Sequence, residues 1–130
     1  MSVISNVSRT FFNGYNVATT NWIYNSSDGN NATTGWVSAK ADNVVVQVCV
    51  ASLYTKAMLY RIEGRQTNGL SRPASIYVTS VAAAHGVDVL HEVSEKIDQI
   101  RVGARLVAMT ASITGSPCNF YAAAILTEIK

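Results

Sequence analysis

The amino-acid sequence predicts an all-β fold: a two-sheet antiparallel sandwich of jelly-roll type, about eight strands in a single domain spanning residues 1–130. Three observations carry this. Residues 43–63 are β-branched at almost every position in their first half and alternate in their second, which suits the pleated, half-buried surface of a sheet. Turn signals recur roughly every 8–15 residues, and no stretch shows a strong helical period. A chain of 130 residues suits one core.

Residues 8–17 hold Arg9, Thr10, Phe11 and Phe12 on one side of Asn13-Gly14 and Tyr15, Asn16 and Val17 on the other. Asn-Gly is the strongest short hairpin signal, so a hairpin or a tight bend at a sheet edge is expected. Residues 19–25, with Trp22, Ile23 and Tyr24, read as a second strand. The polar run 26–34 carries Asp28-Gly29 and reads as a loop, and 35–39 as a short strand returning from it. Ala41, Asp42 and Asn43 then turn into the Val-rich strand. There Val44, Val46, Val48 and Val50 share one face, and Val45, Gln47, Cys49 and Ala51 the other. Both faces are largely apolar, so this strand is expected to be central and covered on both sides.

In the next strand Met58, Tyr60 and Ile62 face one way, while Leu59, Arg61 and Glu63 face the other, with Arg61 and Glu63 in reach of each other. Residues 64–73 form a turn-rich loop tipped by Asn68-Gly69, and 74–81 alternate again. Residues 82–86 fit a helical turn by their alanines, but Gly86 follows too soon for a helix. Residues 87–93 read as a strand and 94–96 as a polar turn. The stretch 97–110 is a long strand with Ile100, Val102, Ala104 and Leu106 on one side and Arg101, Gly103 and Arg105 on the other. After a turn holding Pro117, residues 119–129 close the chain as a strand. Ala122, Ala123 and Ala124 alone would favour a helix, but Phe120, Tyr121, Ile125 and Leu126 around them favour a strand. Small residues there let a second backbone or sheet approach closely.

Charged residues make up 14% of the chain, against about 25% in ordinary soluble domains. A neutral surface of Ser, Thr and Asn would answer that shortage, but cover by partner subunits is the stronger expectation. The net charge of +2 is small, and Arg9, Arg61, Arg65, Arg72, Arg101 and Arg105 are scattered along the chain, which argues against nucleic acid as a partner. The first residues lack the basic start and apolar core of a signal peptide, and no apolar run reaches the ~20 residues that cross a bilayer, so no membrane partner is expected.

No cluster declares a chemistry. His85 and His91 stand six apart without further ligands at metal spacing, and His91 reads as a solvent-facing strand residue. Cys49 and Cys118 read as two reduced thiols, able to bridge only if their strands are neighbours. There is no Gly-x-Ser-x-Gly elbow and no Ser-x-x-Lys with its partners, and the glycines stand singly at turns rather than as a phosphate cradle. Nothing in the spacing joins any two carboxylates into an acid–base pair. The chain is therefore expected to be non-enzymatic, with no catalytic, cofactor-binding or metal residue assigned and no cofactor required. Trp22 and Trp36, with Tyr15, Tyr24, Tyr54 and Tyr60, would suit either a platform for a sugar ring or core and interface packing. The Asn-x-Ser/Thr matches at Asn6, Asn25 and Asn31 read as chance in an Asn/Ser/Thr-rich chain.

Taken over its whole length, the chain resembles the small all-β virion proteins of tailed bacteriophages, the capsid decoration (cement) proteins and the head–tail or tail accessory proteins. The residues that carry the resemblance are the leaderless start, the Thr/Asn/Ser-rich loops and the closing pattern: Glu95-Lys-Ile-Asp-Gln-Ile-Arg-Val-Gly-Ala-Arg105, a polar turn-like stretch, then residues 119–128. The Ile100-Arg-Val102 segment is also similar to a strand of jelly-roll carbohydrate-binding modules. The first resemblance implies a structural subunit of a virion assembled in the bacterial host cytoplasm. It would work as a homo-oligomer, a trimer in similar cement proteins, with major capsid or other virion proteins as partners. The edge strands of the first ~40 residues and the last strand are the expected contacts, through strand addition or face packing. The candidate interface residues are Phe11, Phe12, Tyr15, Trp22, Trp36, Tyr121, Ile125 and Ile129. The second resemblance implies a carbohydrate-binding module that uses surface aromatics.

Overall fold

The computed structural model describes residues 4–17, 19–24, 35–51, 58–67, 75–83, 87–107 and 119–129. These form β1 (Ile4–Asn16), β2 (Ile23–Tyr24), β3 (Val37–Ser38), β4 (Asn43–Ala51), β5 (Met58–Arg65), β6 (Ser75–Ala83), β7 (Val87–Val93), β8 (Gln99–Leu106) and β9 (Asn119–Ile129). The architecture is an all-β sandwich of two antiparallel sheets. The first sheet has the order β1-β9-β4-β7; the second runs β2-β8-β5-β6, with β3 also on β8.

β2 and β3 are two pieces of one interrupted strand laid along β8. Thr19 accepts a backbone bond from Leu106, Ile23 and Tyr24 pair with Ala104 and Gly103, Val37 and Ser38 pair with Ile100 and Gln99, and Ala39 donates to Asp98. With these two joined, the pairings nest. The first strand lies on the last, the second on the next to last, β4 on β7, and β5 on β6. The chain thus behaves as one long antiparallel hairpin whose two arms are wound into two layers.

The core is where the period-two pattern places it. Val44, Val46, Val48 and Val50 of β4, and Ile100, Val102, Ala104 and Leu106 of β8, are all buried and face each other across the layers. Ala122 and Ala124 of β9 point into the same interior, where their small volume makes room for large rings from neighbouring strands. Phe120 sits at the centre of that cluster, its ring 5.0 Å from that of Phe12 and 6.0 Å from that of Tyr60.

Several expectations are corrected by the structure. Asn13-Gly14 does not turn a hairpin. β1 continues through it against β9, with register shifts between Thr10 and Phe12 and between Asn13 and Tyr15. The first shift lets consecutive Phe11 and Phe12 both enter the core, and Gly14 takes up the second with φ 68°. Of the ambiguous stretch 82–86, Ala82 and Ala83 belong to β6, and the rest lies outside the described residues. The strand expected over 97–110 is shorter, Gln99–Leu106. β4 is central, between β9 and β7, but it is covered on one face only: Gln47 and Asn43 are exposed on the other. β9 also has both edges paired, so the last strand has a face to offer but no edge for strand addition. The loop 26–34, Asn68-Gly69, His85, Pro117, Cys118, Tyr54 and Arg72 lie outside the described residues.

Gly103 shows how closely the second sheet is fitted. A Cβ there would stand 2.6 Å from Cε1 of Tyr24, whose ring lies over the glycine. Gly103→Ala is expected to push that ring away and destabilise the protein by about 1–3 kcal/mol, read as a lowered urea midpoint.

Candidate interaction surfaces

The two outward faces of the sandwich differ sharply in chemistry. On the second sheet, alternation along β5 sends Arg61, Glu63 and Arg65 outward, and alternation along β8 sends Arg101 and Arg105 outward. The register sets Glu63 opposite Arg101, and Arg101 Nε donates to Glu63 Oε2 at 2.9 Å. The expected nearness of Arg61 and Glu63 on one strand face is joined by a cross-strand ion pair from Arg101. Trp22 and Tyr24 at β2 and Trp36 just before β3 pack against these guanidinium groups. Arg101 stands 3.8 Å from the Tyr24 ring centre and 4.5 Å from that of Trp36. Arg65 stands 4.1 Å from the Trp36 ring centre, Arg61 4.4 Å from that of Trp22, and Arg105 5.2 Å from that of Trp22. The result is a ladder of alternating cations and rings that pins the interrupted strand to β8, each rung contributing about 0.5–1 kcal/mol.

Hydrogen bonds hold the ladder in place. Arg65 Nε donates to Gln99 Oε1 at 2.7 Å, and Arg61 Nη1 reaches the Tyr24 hydroxyl at 3.4 Å. Arg105 Nε is shielded from water and has no hydrogen-bond partner among the described residues. Burial pulls the Glu63 carboxyl upward, but bonds from Arg101 and Tyr24 and the charges of Arg101 and Arg61 outweigh it and hold the acid below its ordinary range. Burial, then the bond to Glu63 and that carboxylate's charge, raise the Tyr24 phenol despite Arg101 and Arg61 nearby. Four arginines against one glutamate leave the face at +3 (4 − 1), on a chain whose formal net charge is +2.

The outward face of the first sheet is nearly uncharged. β1, β9, β4 and β7 present Ile4, Ile129, Ile125, Tyr121, Ala123, Val45, Cys49 and Leu90 among Asn, Ser, Thr and Gln side chains. Their outward positions carry no Lys or Arg, and the only acids there are Asp88 and Glu92 of the edge strand β7. Leu90 is 65% exposed, Ile4 66% and Ile129 55%. Of the large apolar side chains left exposed among the described residues, all but Val107 belong to this sheet. A shallow hollow of about 460 Å3 lies over the small floor made by Ala123 and Cys49, with Tyr121 on one side and Asp88 on the other. Gln47 Nε2 approaches Asp88 Oδ1 at 3.4 Å.

These placements sort the candidate residues. Tyr121, Ile125 and Ile129 are exposed on the first sheet's outer face, and Tyr15 is exposed on β1. Trp22 is half-buried in the ladder, and Trp36, 6% exposed, lies beneath Arg65 and Arg101. Phe11 and Phe12 are core residues and offer no surface in the folded chain. The sequence reading missed Ile4 and Leu90, because edge-strand apolar residues look the same as core ones until the register is known. It also missed the arginine ladder. The spacings Arg61-x-Glu63-x-Arg65 and Arg101-x-Gly103-x-Arg105 already put each set on one strand face. What joins the two sets is the pairing of β5 with β8.

Two polar features take structural roles. His91 was expected to face solvent, but it turns inward from β7, its Nε2 2.6 Å from the hydroxyl of buried Tyr60 in the opposite sheet. Burial lowers the pKa of His91. The unfolded chain therefore takes up a proton more readily than the folded one, so this histidine's contribution to stability is intact above its ordinary value of 6.5 and is lost as the pH falls below it. Urea midpoints are expected to drop on acidification through that range, and to drop less in His91→Gln. At one end of the sandwich a hollow of about 680 Å3 sets Lys40 and Lys96 among Asp42, Glu95 and Asp98. The Asp98 carboxylate is occupied by the backbone N–H and hydroxyl of Thr67, and Asp42 accepts from the Ile129 N–H at 2.6 Å. Among the described residues no group of three or more His, Cys, Asp or Glu is close enough to hold a metal ion. Cys49 is a free, half-buried thiol.

No family model, no curated protein and no solved structure matches the chain.

Proposed function

We propose that the protein is a non-enzymatic structural subunit of a tailed-bacteriophage particle, a capsid decoration (cement) protein that stabilises the shell through contacts repeated by symmetry. The observation that carries this reading is the outer face of the first sheet: four strands wide, without a single cation, and holding Ile4, Leu90, Tyr121, Ile125 and Ile129 in water. A face of that kind is costly to leave wet and is covered when copies assemble. Each exposed apolar residue contributes little alone, but identical contacts repeated over a lattice add up. The nested strand order is in keeping with the expected jelly-roll type of sandwich, an architecture used by viral capsid and lectin domains. The alternative of a carbohydrate-binding module finds less support. The rings of Trp22, Tyr24 and Trp36 already stack on arginines, and Tyr60 is buried.

The test is reconstitution. Purified protein added to particles that lack it should co-sediment with them and raise their resistance to heat. Ile125→Asp should abolish that binding while leaving the thermal midpoint of the free protein within a few degrees, because the side chain lies outside the core. Protein that leaves such particles untouched would overturn the reading.

A further inference from the structure

We propose that copies of this chain associate head to tail, the outer face of the first sheet of one copy packing on the arginine–aromatic face of the next. The inference builds on the structural-subunit reading and adds which two surfaces meet. Three observations favour a second copy as the occupant of each face. The charges are opposite: Asp88 and Glu92 without any cation on one face, Arg61, Arg65, Arg101 and Arg105 against Glu63 alone on the other. The first face also holds a hollow over Ala123 and Cys49 with Asp88 in its lining, which sets an acid where a guanidinium of the next copy would enter. The arginines are also prepared in advance. Their guanidinium groups stand 3.8 to 5.2 Å from the ring centres of Trp22, Tyr24 and Trp36, contacts that restrict the side chains and lower the entropy lost when they meet a carboxylate.

Because the two surfaces are different, the contact is heterologous. One copy leaves a free acidic-apolar face at one end and a free basic face at the other, so assembly continues until the rotation between copies closes a ring or runs on as a filament. Such a contact is steered by charge and weakens as salt rises.

Two double variants test this. Asp88→Arg with Glu92→Arg makes both faces basic, and Arg61→Glu with Arg105→Glu makes both acidic. Neither pair removes a partner of the Arg101–Glu63 bond, and the acid that Arg61→Glu brings beside Glu63 is controlled for by the mixing experiment. Wild-type protein should self-associate in sedimentation velocity runs, less so at high salt. Each double variant alone should sediment as a monomer, its association weakened roughly 100-fold by like-charge contact. An equimolar mixture of the two should assemble again, since every junction then joins opposite charges. That recovery also separates lost contacts from lost folding, because a misfolded variant would not regain assembly on mixing. Either double variant assembling as the wild type does, or a mixture that stays monomeric, would overturn the inference. So would a wild-type monomer whose arginine face instead captures a DNA duplex or polyglutamate. A wild-type monomer that still binds and stabilises particles would sink this contact and leave the decoration reading standing. Head-to-tail assembly without particle binding would do the reverse.

Discussion

Arg101→Ala should lower the stability of the protein by about 3 kcal/mol, among the largest effects of any polar substitution outside the core. Glu63 is 6% exposed, and its carboxylate is held by Arg101 Nε at 2.9 Å. Removing one partner of a buried pair costs about 3–5 kcal/mol, because the other charge stays behind without compensation. Here the cost is reduced, since the Arg101 side chain is 21% exposed and Arg61 and Tyr24 remain beside the acid. Lost stacking on Tyr24 and Trp36 adds about 0.5–1 kcal/mol for each ring. Arg101→Lys keeps the charge and gives up the planar fork, so it should fall between the two. The pH dependence provides an independent readout. In the wild type Glu63 titrates below its ordinary value of 4.5, so its contribution is fully present above that value and is lost as the pH falls through the lowered one. In Arg101→Ala that acid-induced loss should shrink or reverse, because burial then dominates. A change below ~1 kcal/mol, with an unaltered acid limb, would mean that the ion pair contributes no more than an exposed one.

Phe120→Ala should cost about 3–5 kcal/mol in equilibrium denaturation. The ring is fully buried between Phe12 of β1 and Tyr60 of β5, so its loss opens a cavity that touches both sheets at once. Ala122, the next inward residue on the same strand, is too small to close the gap. Ile125→Ala on the outward side of β9 is the matched comparison. With 36% exposure in the isolated chain it should cost less than about 1 kcal/mol at dilutions where copies are apart. At concentrations where copies associate, the cost of Ile125→Ala should rise while that of Phe120→Ala stays fixed. Equal costs at all dilutions would show that the outer face is not being covered.

Much of the inner face was legible along the chain, because period two in a strand is local information. Val44, Val46, Val48 and Val50, and likewise Ile100, Val102, Ala104 and Leu106, declare one side of a strand before any partner is known, and all eight are buried. The alternate residues Arg101 and Arg105 were equally legible as a second side. Local rules failed where two signals competed. Asn13-Gly14 carries a hairpin signal, yet pairing with Tyr121 and Phe120 continues past it, and the long ladder outweighs the turn preference. His91 reads as a wet-face residue by its polarity, but it shares its strand face with Val89 and Val93, and period two sends that row inward, where Tyr60 meets the ring.

By itself, then, the sequence determined the class of the fold, most strand positions, the inward rows and a shortage of charge, all of which follow from side-chain chemistry within a few neighbours. Tertiary structure decided which rows share a face. Glu63 meets Arg101 across 38 residues, and Trp22 and Trp36 reach β5 and β8 only because one interrupted strand lies along β8. The separation of the molecule into a cationic, aromatic side and an apolar side without cations is likewise a property of strand order and register. Those are fixed by the packing of the whole chain, and no window of residues contains them.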